Sequence, residues 1–193
     1  MLGSTVVATT DVTAEQLQHF LEHHVIYLGD VLWLADLNDL SNAADAYLSP
    51  YMYEAFNIPV LEAIAVGLPV FVSQNGSTEV FVDDIRANVA GAKDRIILIP
   101  STLYVYTGFV GLAIHNEVLV STIIDNLAEL KRPVHKYYYL NLKRYLDTHF
   151  SWGSAAARLK QLMDQILAKE RLRKSLLSRG EAEGGWGINR AGI

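Results

Sequence analysis

Two carboxylates, Glu54 and Glu62, flank a loop that runs straight into a short helix. Pro59 opens that helix, where its missing N–H costs nothing. Gly67 ends it in the position after the C-cap that favours positive φ. The first backbone N–H groups, those of Ile58, Val60 and Leu61, have no intrahelical partner expected. The helix dipole adds partial positive charge at the same end, and the combination suits a phosphate or diphosphate. A carboxylate repels a phosphate, so Glu54 and Glu62 are expected beside the anion. There they can accept hydrogen bonds from sugar or ribose hydroxyls, as acidic residues do in dinucleotide folds. The bland alternative is a buried αβ unit of some other Rossmann-like protein.

The elements that must position this loop follow from periodicity and punctuation. Ala46-Tyr47-Leu48 reads as a short strand stopped by Ser49-Pro50, and Pro69–Ser73 as a second strand. In the turn Asn75–Glu79, Gly76 permits positive φ, and Ser77 or Thr78 can cap a helix from Glu79. Upstream, Thr5–Thr9 suits a strand. Thr13 and Gln16 make a capping box for a helix with Leu17, Phe20 and Leu21 on one face. Val25–Gly29 reads as a buried strand and Leu34–Ala43 as a helix. Downstream, Arg95–Pro100 suits a strand ended by proline. Thr102–His115 is an apolar stretch expected to pack on the sheet or meet a partner, and Asn116–Leu130 a helix. Tyr137-Tyr138-Tyr139 opens another helix with mixed burial. Ser151 caps the last long helix, whose apolar stripe is Ala155, Leu159, Leu162, Met163, Ile166 and Leu167. From Gly180 the composition predicts a flexible tail, residues 180–193. Alternating strands and helices predict an α/β fold with a parallel sheet and right-handed crossovers.

The chain has 193 residues, 51% apolar and 19% charged, enough for one globular core. It has no cysteine, which excludes disulfides and thiolate metal sites. No apolar run reaches the ~18 residues of a membrane span, and the N-terminus lacks a secretory pattern. A cytoplasmic protein is the expectation. Residues 1–100 carry 3 Lys and Arg against 13 Asp and Glu, a net −10, whereas residues 101–193 carry 13 against 8, a net +5. Seven basic residues between Arg158 and Arg179 suit either an anionic membrane surface or the solvated face of a terminal helix. No basic groove is interleaved with the tyrosines, so nucleic-acid binding is not expected. His19 and His23 stand four apart on a helix and are read as a surface pair rather than a metal site. No P-loop and no G-x-S-x-G elbow occurs.

The stretch from Ala44 to Val82 resembles the donor-binding half of the retaining GT-B glycosyltransferases of the family-four group. Their pattern runs A-D-hydrophobic-P-S, then E-G-F-G, then L-E-A, then A-x-G-hydrophobic-P-V and a glycine-rich turn with an acid. Here Ala44-Asp45, Ser49-Pro50, Glu54-Ala55-Phe56-Asn57, Leu61-Glu62-Ala63, Ala65, Gly67, Pro69-Val70, Gly76 and Glu79 take those places. Val25, Leu28-Gly29 and Val31 are similar to the family's V-x-F-L-G-x-V segment. Phe150-Ser151-Trp152 is similar to its F-S-W opening of a C-terminal helix. The resemblance covers about residues 5–170 of the chain.

The resemblance implies a Rossmann-like parallel sheet with helices on both faces, over residues 1–179. It implies transfer of a hexose, with retention, from a nucleotide diphosphate sugar, UDP- or GDP-linked, to a hydroxyl of a sugar, lipid or protein. Glu54 would be the catalytic-site acid that orients the transferred sugar, and Glu62 would hold the ribose. Phe56, Asn57, Ile58, Val60 and Leu61 would cradle the diphosphate, and Leu28, Gly29 and Val31 would meet the base. No metal and no cofactor beyond the donor substrate is implied. The family's G-R strand and K-G helix, whose Arg and Lys neutralise the leaving diphosphate, find no counterpart. The expectation is therefore a domain incomplete at its N-terminus, inactive alone and self-associating through an exposed apolar face. Ala55 and Asn57 stand where the family carries glycine; Asn tolerates the left-handed region, whereas Ala would be strained there. A non-catalytic module that keeps the fold, for nucleotide-sugar or protein binding, is the second reading.

Overall fold

The computed structural model describes residues 13–28, 33–106, 109–134 and 136–183. Its core is a three-stranded parallel sheet of β1 (Tyr47–Ser49), β2 (Val70–Ser73) and β3 (Ile96–Ile99), in that spatial order. Val70 lies opposite Tyr47 on one side and Ile96 on the other. All four residues of the central β2 are buried, as an unbroken apolar run in a parallel sheet requires.

Strand alternation splits the core in two. Val70, Val72 and Ile96 point to one face, where α3 (Ile58–Ala65), α4 (Glu79–Asn88) and α6 (Lys136–His149) cover them with Val60, Ile64, Val82, Ile85, Tyr138 and Leu142. Phe71, Ile97 and Ile99 point to the other, packed by Leu119, Ile123 and Leu130 of α5 (Asn116–Leu130). The Rossmann-like sheet with helices on both faces is thus realised. Arg95, just before β3, directs its guanidinium at the carbonyls of Leu130, the last residue of α5, and Gly67, just past α3, both at 3.5 Å. A cation at two helix C-termini is favoured by both dipoles.

Local signals set several boundaries. The capping box forms at the start of α1 (Ala14–Glu22), with the Gln16 N–H on the Thr13 hydroxyl and the Thr13 N–H on the Gln16 side chain. Gly67 has φ 84° and supports the Tyr139 ring where a Cβ would stand. The Ser154 N–H donates to the Ser151 hydroxyl at 3.1 Å, capping α7 (Trp152–Glu183).

Other expectations are corrected. Val25–Leu28 forms no strand, and Ile26 and Leu28 are exposed; an apolar run becomes a strand only when it finds a pairing edge. Neither α1 nor α2 (Leu34–Ala43) buries a residue. Thr102–His115 folds largely into an antiparallel hairpin, β4 (Thr102–Tyr106) and β5 (Phe109–Ala113), with Leu103 opposite Leu112. The last helix continues through Glu183, so the tail does not begin at Gly180. Its stripe of Leu159, Leu162, Met163, Ile166 and Leu167 is exposed. The strand read at Thr5–Thr9, and Gly29 and Val31, lie outside the described residues. No helix among the described residues is long and apolar enough to cross a membrane.

Candidate functional site

The loop between β1 and α3 is shaped by Asn57. It takes left-handed angles, φ 60° and ψ 62°, at the N-cap of α3, a conformation open to Asn at modest cost. Its side chain is buried and donates to the Ser49 hydroxyl at 2.9 Å. The backbone therefore turns at Asn57, while Ala55 is not among the positive-φ residues and is not strained in that way. Phe56 leaves the loop to pack against Phe81 of α4, centroids 5.0 Å apart and planes tilted by 37°.

The charges of both carboxylates act on Tyr47. Burial raises the pKa of its phenol, and the charges of Glu62 and then Glu54 raise it further, against a hydrogen bond with Ser49 that lowers it. Both acids are exposed. Glu54 folds back so that its carboxylate accepts the Ala55 N–H at 2.9 Å, and its carbonyl accepts the Ser77 hydroxyl at 2.6 Å.

A cleft of about 630 Å³ opens beside Glu54, walled by Tyr53, Ala55, Asn75, Ser77 and the hairpin residues Leu103 and Val110. The hairpin is docked rather than free. The Leu112 N–H donates to the Met52 carbonyl at 2.9 Å. The Tyr53 ring lies where a Cβ on Gly111 would stand, 2.6 Å from its carbons. The Tyr53 and Tyr104 hydroxyls meet at 2.9 Å.

Three expectations at the site change. The Val60 N–H donates to the Asn57 carbonyl at 3.1 Å, so it is not an open donor for a phosphate, and its side chain is fully buried. Thr78 precedes α4 but makes no cap through its side chain; its hydroxyl is held by the Tyr51 hydroxyl. Gly76 does not have positive φ; it is needed for space, because a Cβ would strike the Tyr51 hydroxyl. Ile58 is exposed and Leu61 half-buried at the start of α3.

A family model described as glycosyl transferases group 1 matches residues 4–101, half of the chain, including β1, the Asn57 loop, α3 and β2. The chain belongs to that family. Within this group 1 glycosyl transferase, one stretch is also similar to sucrose synthase 6 of Oryza sativa subsp. japonica. The two are 30% identical over 78 residues, covering 35% of this chain and 9% of that protein. The chain thus spans a small part of that relative's length. No solved structure matches it.

The candidate site also includes residues that sequence reasoning passes over. From sequence Tyr47 is only a strand residue and Ser49 only a strand stop, yet the Ser49 hydroxyl bonds both Asn57 and the Tyr47 phenol. Tyr51 braces the turn at Gly76, Thr78 and Ser73, whose hydroxyl donates to the Tyr51 carbonyl at 3.0 Å. The available signal was the tyrosine spacing at 47, 51 and 53 around the loop.

Proposed function

We propose that this part of the group 1 glycosyl transferase fold binds a nucleotide diphosphate sugar, UDP- or GDP-linked, and serves retaining transfer of its hexose to a hydroxyl acceptor. The observation that carries the reading is the left-handed turn at Asn57, which leads into α3 from a loop whose Glu54 and Ala55 wall the cleft. Glu54 borders the cleft and orients the sugar. Glu62 holds the ribose diol. The backbone of Phe56–Leu61, less the Val60 N–H, approaches the diphosphate, and Leu28, Gly29 and Val31 meet the base. The acceptor is a sugar, lipid or protein hydroxyl. The basic face of α7 suits an anionic lipid surface, and the exposed apolar residues suit self-association.

The second reading is a non-catalytic module. It is favoured by the net −10 of residues 1–100, which supplies little cationic charge for a leaving diphosphate. Titration calorimetry with UDP, GDP and their sugars separates the two. The donor site predicts binding that Glu62→Ala weakens about tenfold or more, the loss of one charge-assisted hydrogen bond. Glu54→Ala is expected to weaken sugar donors more than the bare nucleotides. A folded chain that binds none of them at millimolar ligand removes the donor site. Binding without transfer to any hydroxyl acceptor favours the module.

A further inference from the structure

Away from the proposed donor site, His19 and Glu22 on the last turn of α1 stand together with His23 at its C-cap. Residues three and four apart share a helix face, and one ligand atom from each lies within 4.8 Å of the others. The two imidazole rings are 4.2 Å apart, tilted by 41°. All three side chains are exposed.

Two contacts prepare the group as ligands. His23 Nδ1 donates its hydrogen to the His19 carbonyl at 2.8 Å, which leaves Nε2 as the ring nitrogen that carries the lone pair. A backbone carbonyl on one ring nitrogen is the usual partner of a metal-bound imidazole and fixes its tautomer. Gln18 Nε2 donates to Glu22 Oε1 at 3.2 Å, which steadies the carboxylate.

We propose that His19, Glu22 and His23 form a surface site for one divalent ion of the zinc class, with water completing the shell. Two imidazoles and one carboxylate form a three-ligand set used by zinc. Imidazole selects zinc, copper and nickel over magnesium and calcium, which prefer oxygen. Zinc bonds of about 2.0–2.2 Å need donors closer than in the free side chains, a closing that exposed rotamers make freely. The ion clamps the C-terminal part of a helix that buries no residue of its own. It therefore changes the order of α1 more than that of the sheet.

The test titrates Zn²⁺ into the full chain by calorimetry, with Mg²⁺ in parallel, on the wild type and the variants His19→Gln, His23→Gln and Glu22→Gln. His24→Gln is the control. Amide hydrogen exchange of α1 supplies the second readout. The expected result is one Zn²⁺ per chain and slower exchange in α1. His19→Gln or His23→Gln should weaken binding roughly tenfold or more, and His24→Gln and Mg²⁺ should have no such effect. Because these side chains are exposed, the variants keep the fold, which far-ultraviolet circular dichroism checks. No Zn²⁺ binding at millimolar metal, binding unchanged in the His19→Gln, His23→Gln double variant, or exchange in α1 unaltered by the ion would overturn the proposal.

Discussion

At the scale of single residues, Asn57 carries two duties that a substitution separates. Its left-handed backbone costs an alanine about 1–2 kcal/mol, and its hydrogen bond to Ser49 contributes about 1 kcal/mol. Asn57→Gly keeps the backbone free and loses only the hydrogen bond. Urea denaturation is therefore expected to show Asn57→Ala about 2–3 kcal/mol less stable than the wild type, and Asn57→Gly less affected, with the same denaturant slope. Equal losses for the two would mean that backbone strain is not the larger part. This residue was legible from sequence because asparagine is the non-glycine residue best suited to the left-handed region. The glycine at 76 was legible as a special position but for the wrong reason. Its need is room for the Tyr51 hydroxyl, and a contact across 25 positions of chain leaves no local trace.

At the scale of elements, α3 is the piece that ties the core to the site. Ile64, 1% exposed, sits in the core beneath β2, whereas Ile58, 54% exposed, opens the helix toward solvent. Ile64→Ala is expected to cost about 2–5 kcal/mol through lost burial and a residual cavity. Ile58→Ala should stay within about 0.5 kcal/mol. Calorimetric melting reads the contrast as about 2–4 °C for each kcal/mol in a chain of this size; similar shifts for both would contradict the orientation of α3. Helices such as α2, α3 and α5 were legible because caps, proline, glycine and a 3.6-residue period are local. The hairpin β4–β5 was not, because its register depends on pairing across chain and on docking to Met52. Val25–Leu28 failed in the opposite sense, having strand composition yet pairing with no strand among the described residues.

At the scale of the whole molecule, burial reaches a titratable group that sequence cannot flag. Tyr138 is exposed 7% and lies in the core face closed by α6. Removal from water pushes its phenol up to about 12, with Arg95 opposing. In the unfolded chain the same phenol titrates near 10. Below about pH 10 it is neutral in both states, and its contribution to folding is fully present. Above that, the unfolded chain ionises first and gains stability that the folded chain gains only near pH 12, so the fold weakens as pH rises between the two values. A two-unit difference is worth at most about 3 kcal/mol. Tyr138→Phe retains the ring and removes the ionisable hydroxyl. Charge repulsion and the other tyrosines act on both proteins alike, so the difference between them isolates this group. Guanidinium unfolding from pH 8 to 12 should show a constant offset between wild type and variant below pH 10, then a shallower alkaline decline for Tyr138→Phe. Parallel curves throughout would place the Tyr138 hydroxyl in water.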